Sequence, residues 1–185
     1  MKHTISVIIW NLIVLCAHSS WAQKMEPAQL LAELREASKT EGIQVGIIID
    51  DHSRPSMAQL ITLSKSKMNV FQVLRDYSVE DRAFDGQYSE CPRVLVQSLA
   101  GVSSRKEGNE FISWAFVMGT PDYRNWYVPT QPNDDKERLD ICDVYISDGS
   151  LIGFTFTRWK KTDRKDNDGF WIFNPIQMPR LPKAS

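Results

Sequence analysis

ICDVYISDGSLIGFTFTRW, residues 141–159, is the stretch whose pairing decides the fold. Val144, Ile146, Ile152, Phe154 and Phe156 are β-branched or aromatic, and Ser147-Asp148-Gly149 interrupts them as a turn does. A two-residue loop would set Val144 against Gly153 and Tyr145 against Ile152, mixing apolar and polar faces. A three-residue loop with Gly149 in the left-handed position keeps Cys142, Val144 and Ile146 on one face with Ile152, Phe154 and Phe156. Asp143, Tyr145, Gly153 and Thr155 fall on the other. The expectation is an antiparallel sheet with one covered face.

Working outward, Arg93 to Leu99, Glu110 to Met118 and Phe170 to Phe173 are further strand candidates, so the chain beyond about residue 85 reads as strand-rich. Before it, helical spacing dominates. Leu30, Leu31, Leu34 and Ala37 recur on one face between Glu26 and Lys39, with Pro27 where a first-turn proline is tolerated. Gln44 to Ile49 reads as a buried strand, Gln59 to Leu63 as a second strand or a helix, and Val70, Phe71, Leu74 and Tyr77 as one face of a second helix. The fold class expected is α+β, with N-terminal helices packed on a mainly antiparallel C-terminal sheet. Residues 23–178 form a single domain in this reading, and 179–185, with Pro179 and Pro182, a flexible tail.

Residues 1–22 read as a signal peptide. Lys2 supplies a cationic start, Ile5 to Ala17 an apolar run, and Ser20-Trp21-Ala22 small residues at the two positions a signal peptidase reads. The run is shorter than the roughly 20 residues that cross a bilayer, and nothing after it is apolar enough to span one. Export would put the chain in a periplasm or outside the cell, where Cys91 and Cys142, the two cysteines left after Cys16, are expected to pair. His3 and His18 leave with the leader, so His52 becomes the sole histidine.

The chain carries 22 basic and 23 acidic residues. Removing Lys2 moves its formal charge from −1 to −2, without the basic excess of a nucleic-acid binder. The densest reactive cluster is Asp50-Asp51-His52-Ser53, at a strand's end. His52, oriented by Asp50 or Asp51, could serve as the general base of a hydrolase. No Gly-x-Ser-x-Gly elbow or zinc-protease helix accompanies it. A metal-dependent adhesion motif starting at Asp51 and Ser53 breaks at Pro55. Asp163 to Gly169 suggests a calcium loop, but aligned on Gly169 its first and last ligands fall on Arg164 and Pro175. No metal or cofactor is therefore expected. Arg158-Trp159-Lys160-Lys161 sets positive charge beside an aromatic and, with Trp126 and Tyr123, is the candidate binding set. Trp114, Trp171 and Tyr127 could serve binding or the core.

The order of helix (Pro27 to Leu34), strand (Gly42 to Ile48) and second strand leading into Asn69 to Leu74 is similar in layout to the short N-terminal domain of secretins and TonB-dependent receptors. That resemblance covers Pro27 to about Leu99 and implies a small periplasmic interaction module without catalysis. The functional expectation is an exported, non-catalytic protein binding an envelope or secreted protein. The alternatives are a periplasmic hydrolase using His52, and a toxin inhibitor or immunity protein.

Overall fold

The computed structural model describes residues 22–36, 42–63, 67–76, 83–84, 96–132, 134–166, 169 and 171–182. The rest of the leader, Cys91, and Asn167 and Asp168 lie outside them. In chain order the described elements are β1 (Ala22–Met25), α1 (Pro27–Glu36), β2 (Ile43–Asp50), β3 (Met57–Leu63), α2 (Val70–Asp76), β4 (Ala83–Phe84), β5 (Val96–Leu99), β6 (Val102–Ser103), β7 (Arg105–Glu107), β8 (Glu110–Gly119), β9 (Trp126–Tyr127), β10 (Thr130–Gln131), β11 (Asp134–Arg138), β12 (Ser150–Lys165) and β13 (Trp171–Pro175).

One mixed sheet dominates, in the order β1-β3-β2-β12-β8-β7, with β9 added to β8 and β13 to β12. This overturns the expected segregation of helices and sheet. The N-terminal part contributes β1, β2 and β3 to the same sheet, and α1 and α2 are the only helices among the described residues. The physical reason lies in β2, which is buried from Gln44 to Asp50. A run of that kind is the mark of a strand covered on both faces, and it takes a central position beside β12.

The pairing expected for residues 141–159 is also corrected. β12 runs parallel to β2, from Ser150 opposite Val45 to Thr155 opposite Asp50, and antiparallel to β8, from Ile152 opposite Met118 to Arg158 opposite Ile112. Gly149 does take a positive φ, 74°, but its turn docks on the start of β2 and does not close a hairpin. Its N–H donates to the Gln44 carbonyl (2.9 Å), and the Asp148 carboxylate accepts from the Gln44 N–H (2.8 Å). Residues 141–146 instead embrace α2: the N–H groups of Val70 and Phe71 donate to the carbonyls of Val144 and Ile141, and that of Ile146 to Met68. Asn69 and Gln72 cap this helix reciprocally, each side chain accepting the other's N–H (2.9 and 2.8 Å).

Both faces of the sheet are covered. On one, Val45, Ile47, Ile61, Phe154 and Phe156 pack with α2, Cys142 and Ile146. On the other, Leu30, Leu31 and Leu34 of α1 pack on Ile48, Ala58 and Leu151, joined at the margin by Tyr123, Trp126 and Leu181. Each leucine so buried contributes about 2 kcal/mol. The second face needs a glycine at 153, because a Cβ there would stand 2.6 Å from the Trp126 ring.

Candidate functional site

Asp50 ends β2 with its side chain fully buried, and a buried carboxylate survives only when its oxygens are filled. Arg180 fills them from 130 residues away: its Nε donates to Oδ2 (2.9 Å), its guanidinium NH2 to Oδ1 (2.8 Å) and its backbone N–H to Oδ2 (2.7 Å). The backbone N–H of His52 adds a fourth bond, to Oδ1 at 2.8 Å. Burial alone would push this carboxyl up. The Arg180 guanidinium and the N–H groups of Arg180 and His52 outweigh it and hold the carboxyl below its ordinary value.

The chain then turns through His52 at φ 60°, a left-handed conformation that a non-glycine residue keeps only when its surroundings fix it. The turn folds the imidazole back so that Nε2 lies 2.8 Å from Thr155 Oγ1, with Nδ1 3.7 Å from Asp50 Oδ1. Carboxylate, imidazole and hydroxyl thus stand in the order of a catalytic triad, but the protons run the wrong way. Thr155 has one hydroxyl hydrogen, donated to the Gln177 carbonyl (3.1 Å), so Nε2 is the donor to Thr155. A general base would need a lone pair there. Thr155 is itself fully buried. A cavity of about 230 Å³ lies beside Asp51 and Arg54, and neither His52 nor Thr155 lines it.

Asp51 is occupied in its turn. It accepts from the N–H and hydroxyl of Ser53 and from the N–H of Arg54, and pairs with the Arg54 guanidinium at 2.7 Å. Burial raises its carboxyl, but these partners win and hold it at about 2. Among the described residues, no three His, Cys, Asp or Glu side chains gather as a metal ion would require.

The C-terminal segment through residue 182 is tied to the same node. Ile176 N–H donates to the Arg158 carbonyl, Gln177 N–H to Thr157 Oγ1, and Trp126 Nε1 to the Pro179 carbonyl. Arg180 also donates to the Arg54 carbonyl. Residues 176–182 are a strap laced to the sheet.

The candidate binding set divides. Trp126 holds the strap, and the Tyr123 hydroxyl donates to the Gly149 carbonyl (2.7 Å); both side chains brace the α1 face. Arg158 pairs with Glu107 (3.3 Å) and Glu110 (2.9 Å). Trp159, Lys160 and Lys161 belong instead to a hairpin of the outer half of β12 with β13. There Lys161 faces Phe173 and Lys165 faces Trp171 across a register shift. Trp159 roots the hairpin, donating from Nε1 to Ser113 Oγ (2.7 Å) beneath the Arg138 guanidinium. Beyond it, Trp171 and Phe173 are 43% and 44% exposed. The ammonium groups of Lys161 and Lys165 sit 3.7 and 4.8 Å from the Trp171 ring centroid.

Sequence reasoning did not single out Arg180, Thr155 or Phe173. The aromatic and β-branched run Phe170 to Phe173 marks a strand, but nothing local marks which face stays bare. Trp114, by contrast, is buried in the core, its Nε1 donating to the Val102 carbonyl. Cys142 is buried; Cys91, its expected partner, lies outside the described residues. No helix among the described residues is long and apolar enough to cross a membrane.

No known protein family matches this chain, and neither a curated protein nor a solved structure matches it significantly. The layout shared with secretin and TonB-dependent receptor domains gains no support from these comparisons.

Proposed function

We propose that this chain is an exported, non-catalytic binding protein of the cell envelope, acting by surface contact through the β12–β13 hairpin. The observation that carries the reading is the hairpin's exposed Trp171 and Phe173 beside lysines. Exposed aromatics in a rigid paired element make strong contacts at low entropic cost. Against a hydrolase centred on His52 stand the filled oxygens of Asp50 and the proton on Nε2. A disulfide between Cys91 and Cys142 and removal of residues 1–22 belong to the same reading.

The test is His52→Ala in the purified protein, assayed on peptide, ester and envelope substrates with the fold followed by circular dichroism. The binding reading expects no turnover from either protein. Turnover by the wild type that His52→Ala abolishes, with the fold intact, would overturn it.

A further inference from the structure

We propose that the β12–β13 hairpin docks this protein on the surface of an anionic lipid bilayer, a partner assignment that rests on the non-catalytic binding reading. The first argument is where the charges go. Among the described residues the hairpin carries Arg158, Lys160, Lys161, Arg164 and Lys165 against Asp163 and Asp166. Arg158 is consumed by Glu107 and Glu110. Among the described residues, no carboxylate pairs with Lys160, Lys161 or Lys165, whereas Arg54, Arg75, Arg105, Arg158 and Arg180 each meet one.

Lys161 and Lys165 flank one indole ring, which sets two like charges within a Debye length, ~8–10 Å, of each other. An attached anionic surface relieves that repulsion. With a formal charge of −1, the chain as a whole offers no long-range attraction, so the hairpin must supply it locally.

The second argument is the apolar area beside those charges. A soluble polyanion would satisfy the lysines and stack on Trp171, leaving Phe173 wet. A bilayer takes both kinds of group: indole rings settle at the headgroup level, apolar side chains enter the acyl boundary, and lysine stems reach back to the phosphates. Trp171 and Phe173 with Lys161 and Lys165 carry this amphipathic composition on one paired arm. The attachment is peripheral and reversible.

The test is vesicle flotation with protein purified after export, its N-terminal residue verified so that the apolar leader contributes nothing. Vesicles of phosphatidylcholine mixed with phosphatidylglycerol are expected to carry the protein up, pure phosphatidylcholine vesicles are not, and added salt should release it. The double variant Lys161→Gln/Lys165→Gln should lower partitioning by roughly thirty-fold, while Lys161→Arg/Lys165→Arg retains it. Trp171→Ala/Phe173→Ala should weaken binding without changing the circular dichroism spectrum. Absence of flotation overturns the proposal, as does flotation that the glutamine variant leaves unchanged. Capture of soluble heparin without flotation overturns it in favour of a polyanionic glycan. None of these failures touches the non-catalytic reading, which His52→Ala tests separately.

Discussion

The two halves of β12 make an instructive pair. The inner half, residues 150–157, lies between β2 and β8 and is almost wholly buried; the outer half, residues 158–165, is mostly exposed and pairs with β13 from Trp159 onward. Both halves are served by the C-terminal segment, which supplies the strap to one and β13 to the other. At the inner half, a buried charge forced the fold to find Arg180, and every oxygen of Asp50 is filled. At the outer half, lysines stay hydrated and need no counter-charge to fold. Burial decides whether a charge must be matched inside the molecule or stays available to a partner.

The largest expected effect is at the node. Arg180→Ala leaves Asp50 buried without its guanidinium and should cost about 3 kcal/mol, the low end for a broken buried pair because the Arg180 head is 51% exposed. Urea denaturation measures it, and a loss of only a few tenths would mean that the strap is not held there.

Acid is the next lever. Asp50 and Asp51 both titrate below the ordinary 3.8 in the folded state, so their contribution is fully present above that value and is lost as pH falls through the folded values, about 2 for Asp51. For Asp51 this amounts to about 2 kcal/mol. Urea midpoints followed into acid should fall in the wild type and flatten in Asp51→Asn. An unchanged slope in that variant would remove Asp51 from the account.

The smallest effect belongs to the hairpin. Lys161→Gln/Lys165→Gln should leave unfolding stability within about 1 kcal/mol of wild type, since exposed cation–π contacts carry little. A larger loss would mean that the hairpin is structural, and the contrast between the two halves would fail.

Much was legible locally. Helical spacing located α1 and α2, β-branched runs located β2, β8 and β12, and the density of Asp50-Asp51-His52 marked the place where the node forms. What misled was sequence adjacency. Residues 141–146 alternate like a strand and share the buried face of Phe154 and Phe156, yet they reach that face by wrapping α2. Their shared burial was readable, whereas the parallel partner of β12 lay about a hundred residues earlier.

By itself the sequence determined periodicities, turn positions and the charge carried by each segment, because these depend on neighbours along the chain. Only the tertiary structure decided that β2 lies beside β12, that Arg180 answers Asp50, that His52 points its proton at Thr155, and that Trp171 and Phe173 stay bare. Each of these depends on which distant groups share a buried volume, and that is settled by packing the whole chain at once.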